Sequence, residues 1–296
     1  MLEHLLKMTI YKILFALGFE RLAYKIQARK RLKKREILNF SINLTDHCNL
    51  NCKGCNHFAP IAEENYYSVD LMEKDFKRIC ELANGRIDRV GLIGGEPLLH
   101  PNLIDILNIA GKYFFGIDRL ELTTNGILLL KQEHTFWETC KKNNIIIDVS
   151  QYPIKLPYKE MEAKARHYGV NFEYKRRRDG TAVSYMHKLP LNQSGTGDYK
   201  KNFYYCPLGN TCIALEAGRI YTCQMVTTVK HFNKYFSTNL IVSEKDYIDI
   251  YAVQTIEEIF HFLCKPIPFC RYCEVKNFFV ENINYEQSKK QIHEWI

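Results

Sequence analysis

Apolar and polar positions alternate along residues 38–174 in a pattern that predicts strands and helices in turn. Short apolar runs predict five strands, at residues 41–44, 90–93, 120–123, 145–150 and 170–174. Longer amphipathic segments predict four helices, at residues 69–83, 101–112, 131–143 and 156–168. Ser68 followed by Asp70 is a typical helix start. Strands that alternate with helices predict a parallel α/β sheet.

The pattern changes after the fifth predicted strand. Residues 176–202 are polar and contain Gly180, Gly195 and Gly197, so we predict an irregular connector there. Residues 215–222 predict a hairpin that turns at Ala217-Gly218. We therefore predict three regions: an N-terminal helical segment at 1–37, a large α/β domain at 38–202 and a small α+β domain at 203–296.

Composition limits the class of protein. A chain of 296 residues with 46% hydrophobic content can bury a full core without covalent cross-links. Eleven cysteines without a signal peptide argue against a secreted disulfide framework, because a reducing cytosol keeps thiols free for metal binding or catalysis. A cytoplasmic location is expected.

The net charge of +8 is concentrated at one end of the chain. Residues 1–36 hold ten Lys and Arg against three Glu, a net +7, so a globally basic nucleic-acid surface is not expected. The apolar stretch at 1–19 is interrupted by Lys7 and Lys12 and is too short to span a bilayer. Residues 1–36 form either a helix packed on the enzyme or an interfacial helix in peripheral contact with anionic lipid.

A cysteine triplet follows the first predicted strand. Cys48, Cys52 and Cys55 are spaced CxxxCxxC. Three thiolates on a 4Fe-4S cluster leave one iron open for a small molecule, so this triplet predicts a reactive cluster. The spacing alone also suits zinc.

Two further motifs lie at strand ends. Gly94-Gly95-Glu96-Pro97 follows the second predicted strand, and Thr124-Asn125-Gly126 follows the third. In this order and spacing, the three motifs resemble those of the radical S-adenosylmethionine (SAM) enzymes. The resemblance implies a partial (β/α) TIM-like barrel, with its function at the carboxyl ends of the strands.

The resemblance also implies roles for individual residues. Cys48, Cys52 and Cys55 would ligate the 4Fe-4S cluster that binds SAM. The amino group of SAM would be bound by the glycine motif, at Gly94, Gly95 and Glu96. Asn125 and Ser150 are candidates for its carboxylate or ribose. Gly54 stands where many members have an aromatic residue near adenine, so Phe58 or His57 is expected to cover the base.

A second cysteine set lies in the C-terminal region. Cys206 is followed after eleven residues by Gly218 and after four more by Cys223. A CxxC pair comes later in the chain, at Cys270 and Cys273. This pattern resembles the SPASM and twitch extensions of radical SAM enzymes, which hold auxiliary 4Fe-4S clusters. The simplest ligand set is Cys206, Cys223, Cys270 and Cys273, with a four-cysteine zinc site as the alternative. Cys212 and Cys264 are outside this set, and either could replace a neighbouring cysteine as a ligand.

The twitch enzymes that the chain resembles most are alcohol dehydrogenases of aminocyclitol biosynthesis. The resemblance therefore implies an oxidoreductase of carbohydrate biosynthesis that abstracts hydrogen from a small-molecule alcohol. The expected substrates are sugars, cyclitols and phosphorylated or nucleotide-linked compounds. A flavodoxin- or ferredoxin-type donor would supply electrons. Lys175 and Arg176 follow the fifth predicted strand and are candidates for catalysis or phosphate binding, although a solvated charge run is equally expected.

Three alternatives remain at this point. An epimerase would return a hydrogen atom from a thiol, for which Cys212 or Cys264 could serve. A peptide maturase is the second, and the 37 residues before the barrel are too few for a leader-binding domain. A non-enzymatic metal-binding protein is the third.

Overall fold

The computed structural model describes residues 37–152, 154–174, 185–186, 190–206, 208–209, 212–277, 283–284 and 286–296. The basic segment at 1–36 and the predicted catalytic residues Lys175 and Arg176 lie outside these ranges. Within the described ranges, no helix has the length and apolar character needed to cross a membrane.

Five parallel strands form the first part of the sheet, and helices separate them. The strands are β1 (Leu38–Asn43), β2 (Ile87–Ile93), β3 (Arg119–Thr124), β4 (Ile146–Val149) and β5 (Phe172–Tyr174). The helices are α1 (Val69–Ala83), α2 (Leu103–Tyr113), α3 (His134–Lys142) and α4 (Tyr158–Tyr168). Each strand pairs in parallel with the next along the chain, which is the order of a partial (β/α) barrel.

The two faces of the sheet differ in polarity because side chains alternate along each strand. On β1, Leu38, Phe40 and Ile42 are buried in the large hydrophobic core that also contains the inner faces of the helices. The opposite face carries polar side chains, among them Asn43 on β1 and Glu121 on β3. Polar groups therefore line the concave side, where the strands end in the motif loops.

The C-terminal part extends the same sheet. β7 (Ala214–Glu216) pairs in parallel with β1, and it continues antiparallel to β8 (Arg219–Tyr221) and β9 (Tyr247–Asp249). The strand order is β5-β4-β3-β2-β1-β7-β8-β9. A separate pair joins β6 (Tyr185–Met186) to β10 (Ile283–Asn284). The remaining helices are α5 (Tyr199–Tyr205), α6 (Gln224–Phe236) and α7 (Ile256–Leu263).

Most of the predicted elements are confirmed, with shifted ends. Helix α1 has the predicted bounds, and the Ser68 hydroxyl accepts a hydrogen bond from the Leu71 N–H. The hairpin at Ala217-Gly218 is also confirmed. The irregular connector, however, ends before Tyr199, because Asp198 accepts hydrogen bonds from two lysine N–H groups and starts α5. The division into three regions stays a prediction.

Candidate active site

A cavity of about 350 Å³ lies at the carboxyl ends of β2, β3 and β4. The cysteine loop forms one side of it, and the start of α6 forms another. Its lining includes all three motifs that the sequence singled out: Cys48, Cys52, Cys55, Gly94, Gly95, Glu96, Thr124 and Asn125. Ser150, which follows β4, also lines it. The topology thus brings together residues that are about 100 positions apart.

The first cysteine set consists of reduced thiols. The Leu50 N–H donates to Cys48 Sγ at 3.3 Å, and Asn125 Nδ2 lies 3.6 Å from the same sulfur. Burial raises the pKa of Cys48 to about 12 and raises the pKa of Cys52 and Cys55 as well. Such thiols keep their protons at neutral pH unless a metal replaces them.

The donor set fits an iron-sulfur cluster, since three cysteines line one cavity and N–H groups point at Cys48 Sγ. In the part of the chain that the structure describes, no group of three or more His, Cys, Asp or Glu is arranged to hold a single metal ion. A cluster binds each cysteine through a different iron, so its ligands need not converge on one point.

The two glycines of the second motif allow a close approach between two loops. A Cβ on Gly95 would lie 1.8 Å from the backbone oxygen of His47, and one on Gly94 would lie 2.5 Å from that of Thr45. Gly95 N–H donates to the Thr45 oxygen at 2.8 Å, and Glu96 N–H donates to the His47 oxygen at 3.0 Å. The glycine loop therefore holds the segment that leads directly into Cys48.

The Glu96 carboxylate joins the ends of β2 and β3. It accepts hydrogen bonds from the Thr124 hydroxyl at 2.6 Å, the Asn125 N–H at 2.9 Å and the Leu98 N–H at 3.1 Å. Burial raises the pKa of Glu96 to about 7, although these three donors oppose the shift. The side chain thus fixes the strand-end loop besides lining the cavity.

Asn125 is fixed in orientation by its neighbours. Its Nδ2 donates to Asn49 Oδ1 at 2.7 Å, and its Oδ1 accepts from the Ile127 N–H at 3.0 Å. One side chain therefore contacts both the cysteine loop and the end of β3.

Residues 286–296, which we call the strap, lie against the cysteine loop. The Lys53 N–H donates to the Glu286 oxygen, the Ser288 N–H donates to the Asn51 oxygen, and the Trp295 indole N–H donates to the Cys55 oxygen at 3.0 Å. A Cβ on Gly54 would lie 3.0 Å from the Glu294 backbone oxygen. The strap therefore occupies the space beside Gly54.

Phe58 does not line the cavity. Its side chain is fully buried, and its ring packs 5.6 Å from that of Phe232 and 6.0 Å from that of Trp295. His57 does line the cavity, so of the two candidates for the adenine contact only His57 faces this space.

The second cysteine set gathers around the start of α6 and residues 268–273. Burial raises the pKa of Cys223, Cys270 and Cys273, and the neighbouring thiols, Cys206 included, add to each shift. Asn202 Nδ2 donates to the backbone oxygens of Cys270 and Cys273 at 2.9 and 2.8 Å. The structure therefore brings the four predicted ligands together.

The two cysteines left over lie in different places. Cys212 lines the cavity together with Cys223, and its backbone oxygen accepts from the Gln224 N–H at 2.9 Å. Cys264 is buried at the end of α7 and is not among the cavity-lining residues.

The sequence reasoning missed three residues of the site. Tyr152 lines the cavity and hydrogen-bonds Cys52, Gln224 lines the cavity from α6, and Trp295 contacts the cysteine loop. Only Gly54 gave a signal, since glycine in place of an aromatic residue indicates that another segment approaches closely.

A cavity bounded by a cysteine triplet, a glycine pair and strand-end polar groups on a partial barrel is suited to hold a metal cluster and a small cofactor. Residues 42–150 match the model of the radical SAM superfamily.

Curated relatives match a part of the chain. A protein named GTP 3',8-cyclase from Alkaliphilus oremlandii is 32% identical over 120 residues, which is 40% of this chain and 37% of that protein. Another of that name, from Chlorobaculum tepidum, is 39% identical over 92 residues, 31% and 26% of the two chains. The chain thus spans about a third of the length of these relatives.

Solved structures similar in fold include BtrN in complex with AdoMet and 2-DOIA. That chain is 15% identical, with a TM-score of 0.48, and the match covers 84% of this chain and 98% of BtrN. Tagged anSMEcpe with bound AdoMet is also 15% identical, with a TM-score of 0.48 and coverage of 85% and 89%.

Proposed function

We propose that this radical SAM enzyme abstracts a hydrogen atom from a small-molecule alcohol and oxidises it to a ketone, in a sugar, cyclitol or nucleotide-linked substrate. One observation carries the proposal: a single cavity borders on Cys48, Cys52 and Cys55 at one side and on Cys223 at the other. A substrate there would lie between a radical-generating centre and an electron acceptor.

The residues around the cavity have distinct roles in this proposal. Cys48, Cys52 and Cys55 would hold a 4Fe-4S cluster that, with bound SAM and one electron, supplies a 5'-deoxyadenosyl radical. Gly94, Gly95 and Glu96 would bind the amino group of SAM, and Asn125 and Ser150 its carboxylate or ribose.

The second cysteine set would complete the oxidation. Cys206, Cys223, Cys270 and Cys273 are proposed ligands of an auxiliary 4Fe-4S cluster that accepts the electron left after hydrogen abstraction, while a base takes the hydroxyl proton and leaves the ketone. The grouping of these four cysteines supports this role, because four thiolate ligands leave no iron of the cluster open for SAM.

Lys175 and Arg176 remain proposed catalytic or phosphate-binding residues, outside the described part of the chain. The relatives named GTP 3',8-cyclase favour a nucleotide-linked substrate among the proposed classes. If either residue is essential, its substitution by Ala abolishes product while iron content is unchanged.

An epimerase is a second candidate, favoured by the position of Cys212 on the cavity wall. In that reaction a thiol hydrogen atom would return to the substrate radical. Uptake of one solvent deuterium into an isomeric product would identify the epimerase, whereas a ketone without deuterium uptake would identify the dehydrogenase.

The decisive experiment is anaerobic reconstitution with iron and sulfide, followed by iron counting and a deoxyadenosine assay against nucleotide sugars and cyclitols. About eight irons per chain are expected for two 4Fe-4S clusters, and about four would remove the proposed electron acceptor. No deoxyadenosine from the reduced, loaded protein would favour a non-enzymatic metal-binding protein.

A further inference from the structure

A cleft of about 900 Å³ lies in the C-terminal part of the chain and shares no lining residue with the cavity at the strand ends. Residues of β8 and β9 form one wall, residues 241–245 form another, and Pro268 and Arg271 form the third. The third wall belongs to the segment that carries Cys270 and Cys273. The cleft therefore adjoins two proposed ligands of the second cysteine set.

The third wall is one face of a 3-10 helix, Pro268–Tyr272, in which positions three apart share a face. Pro268 and Arg271 form the face that lines the cleft. A second face is buried in the hydrophobic core. The third face carries Cys270, and Cys273 follows three residues later, directly after the helix. The width of one narrow helix therefore separates the cleft from these two cysteines.

Hydrogen bonds fix the walls of the cleft to each other. Asp246 is fully buried and accepts from the Ser243 N–H and hydroxyl, both at 2.8 Å, and from the Phe269 N–H at 2.6 Å. The Ile241 N–H donates to the Tyr272 hydroxyl at 3.2 Å. The loop of the second wall is thus attached to the helix of the third. A surface fixed in this way can bind a partner without the cost of ordering a loop.

The cleft combines exposed apolar side chains with an excess of positive charge. Ile241 and Val242 are 50% and 37% exposed. Three cations and one carboxylate line the cleft, namely Arg219, Lys245, Arg271 and Glu244. Among the described residues, none of the three cations has a carboxylate within salt-bridge distance, and the two guanidinium groups lie over tyrosine rings. The positive charge is therefore not neutralised within the described chain.

These properties fit an acidic protein as the occupant, because opposite charges steer the encounter and arginine, tyrosine and apolar side chains are typical of interfaces. The position of the cleft indicates which kind of acidic protein. In the proposed function, one electron passes to the second cysteine set in each turnover, and it must be removed before the next. A carrier in the cleft would lie against the helix that bears Cys270.

We propose that this cleft docks an acidic one-electron carrier protein. The oxidised carrier gains one electron from the auxiliary cluster, with no change in covalent bonds. The proposal rests on the proposed function, since it takes the second cysteine set to hold that cluster. It assigns the recognition of acidic groups to Arg219, Lys245 and Arg271, and apolar contact to Ile241 and Val242.

The test measures binding of oxidised flavodoxin, a small acidic electron carrier, to the anaerobically loaded enzyme by calorimetry at low and at high salt concentration. The cleft variant, Arg219→Glu/Lys245→Glu, reverses two exposed charges and should weaken binding about tenfold at low salt and less at high salt. The control variant, Lys74→Glu/Lys159→Glu, makes the same change in net charge at exposed positions on α1 and α4 and should bind like the wild type. If the cleft variant loses iron, Lys245→Glu alone replaces it and must weaken binding in the same direction.

A rate measurement connects binding to electron transfer. C48A/C52A/C55A lacks the first cysteine set, so absorbance in this background follows the oxidation of the reduced auxiliary cluster by flavodoxin. The substitutions of the cleft variant should slow this oxidation at low salt, whereas those of the control variant should leave the rate unchanged.

Other outcomes overturn the docking surface. Equal affinity of the wild type and the cleft variant would mean that the carrier binds elsewhere, and an equal loss in the control variant would mean that net charge alone matters. No binding by the wild type would exclude an acidic carrier. Dissociation of a dimer in the cleft variant, seen by sedimentation, would assign the cleft to a second copy of the chain.

Iron counting tests the proposed function separately. About four irons per chain would overturn the proposed function, whatever the affinity for flavodoxin. About eight irons without cleft-dependent binding would overturn the docking surface alone.

Discussion

The two cysteine sets differ in how they meet the cavity. Cys48, Cys52 and Cys55 all line it, whereas of the four proposed ligands in the second set only Cys223 does. The first set is held from outside by the glycine loop and the strap through backbone hydrogen bonds. The second set is surrounded by core residues such as Phe269 and Tyr272. All three cysteines of the first set thus border on the space for a small ligand, whereas one of the four proposed ligands of the second set does.

In the proposed function, this difference matches the two sets to different steps. A ligand that must be replaced at every turnover needs an accessible site, while an electron can reach an enclosed one. The two sets are nevertheless joined through the backbone. The Leu191 N–H donates to the Trp295 oxygen at 2.7 Å, and Leu191 also pairs with Cys273 in a β-bridge. Trp295 therefore contacts Cys55 on one side and, through Leu191, Cys273 on the other.

Removing one set at a time should produce the largest effect. The triple variant C48A/C52A/C55A is expected to abolish deoxyadenosine formation, because the site for SAM is lost. C270A/C273A is expected to keep deoxyadenosine formation and to lose the oxidised product. Anaerobic product analysis by mass spectrometry distinguishes the two. The division of roles fails if C270A/C273A also loses deoxyadenosine formation while its first cysteine set still holds iron.

The close approach at the glycine loop gives the next largest effect. Gly95→Ala would place a Cβ against the His47 backbone oxygen, which cannot move as the tip of a side chain can. We expect a loss of about 3 kcal/mol or more in the free energy of unfolding, and loss of iron from the first set. Urea unfolding and iron counting measure both.

Gly85→Ala is the control for this substitution. Nothing lies within 4 Å of a Cβ at Gly85, so the variant should lose only the roughly 1 kcal/mol that a positive φ costs. Iron content in Gly85→Ala should match the wild type. Equal behaviour of the two variants would show that the glycine loop does not position Cys48.

The sequence predicted the sheet, the first cysteine set and the glycine motif because each depends on local patterns. Strand alternation and helix periodicity are properties of short segments, and parallel strands bring their ends together without further information. Gly54 indicates that another segment packs closely against the cysteine loop, but it does not identify that segment.

Trp295, Gln224 and Tyr152 could not be predicted because their roles come from long-range contacts. Trp295 meets Cys55 across 240 residues, a contact that no local spacing encodes. Helix α5 was missed because its lysines and tyrosines resemble a polar loop, and its start depends on the Asp198 cap. Phe58 was expected near the cofactor from its position in the chain, yet its positive φ of 53° turns it into the aromatic core.

An ion network between the cysteine loop and α6 should give an effect of intermediate size. Asp46 accepts from the Tyr67 hydroxyl at 2.9 Å and lies 3.3 Å from His231 Nε2 and 3.6 Å from Lys230 Nζ. Burial alone would raise the pKa of Asp46, but His231, Lys230 and Tyr67 together lower it to about 2. Asp46→Asn should therefore lower the free energy of unfolding at pH 6 by roughly 2 kcal/mol.

The pH dependence of this loss tests its origin. Because the pKa is lower in the folded protein than the unfolded value of 3.8, the stabilisation is present above about pH 4 and disappears as the pH falls toward 2. The difference between the wild type and Asp46→Asn should thus shrink from pH 6 to pH 3 in urea unfolding of the metal-free protein. A difference that is constant over this range would mean that the carboxylate charge is not involved.

The smallest expected effect is that of Trp295→Phe, which tests whether the strap stabilises the fold or retains the first cluster. Trp295→Phe keeps an aromatic ring in the core but removes the indole N–H that donates to the Cys55 oxygen. Trp137 is a matched control, since its buried indole N–H also donates to a backbone oxygen, that of Gln132 at 3.3 Å. Each Trp→Phe variant should lose about 1 kcal/mol in the free energy of unfolding.

Only Trp295→Phe should release iron from the first set faster than the wild type on exposure to air. This release is measured by absorbance near 400 nm in a C270A/C273A background. Equal rates of iron release in the two variants would mean that the strap stabilises the fold without holding the cysteine loop.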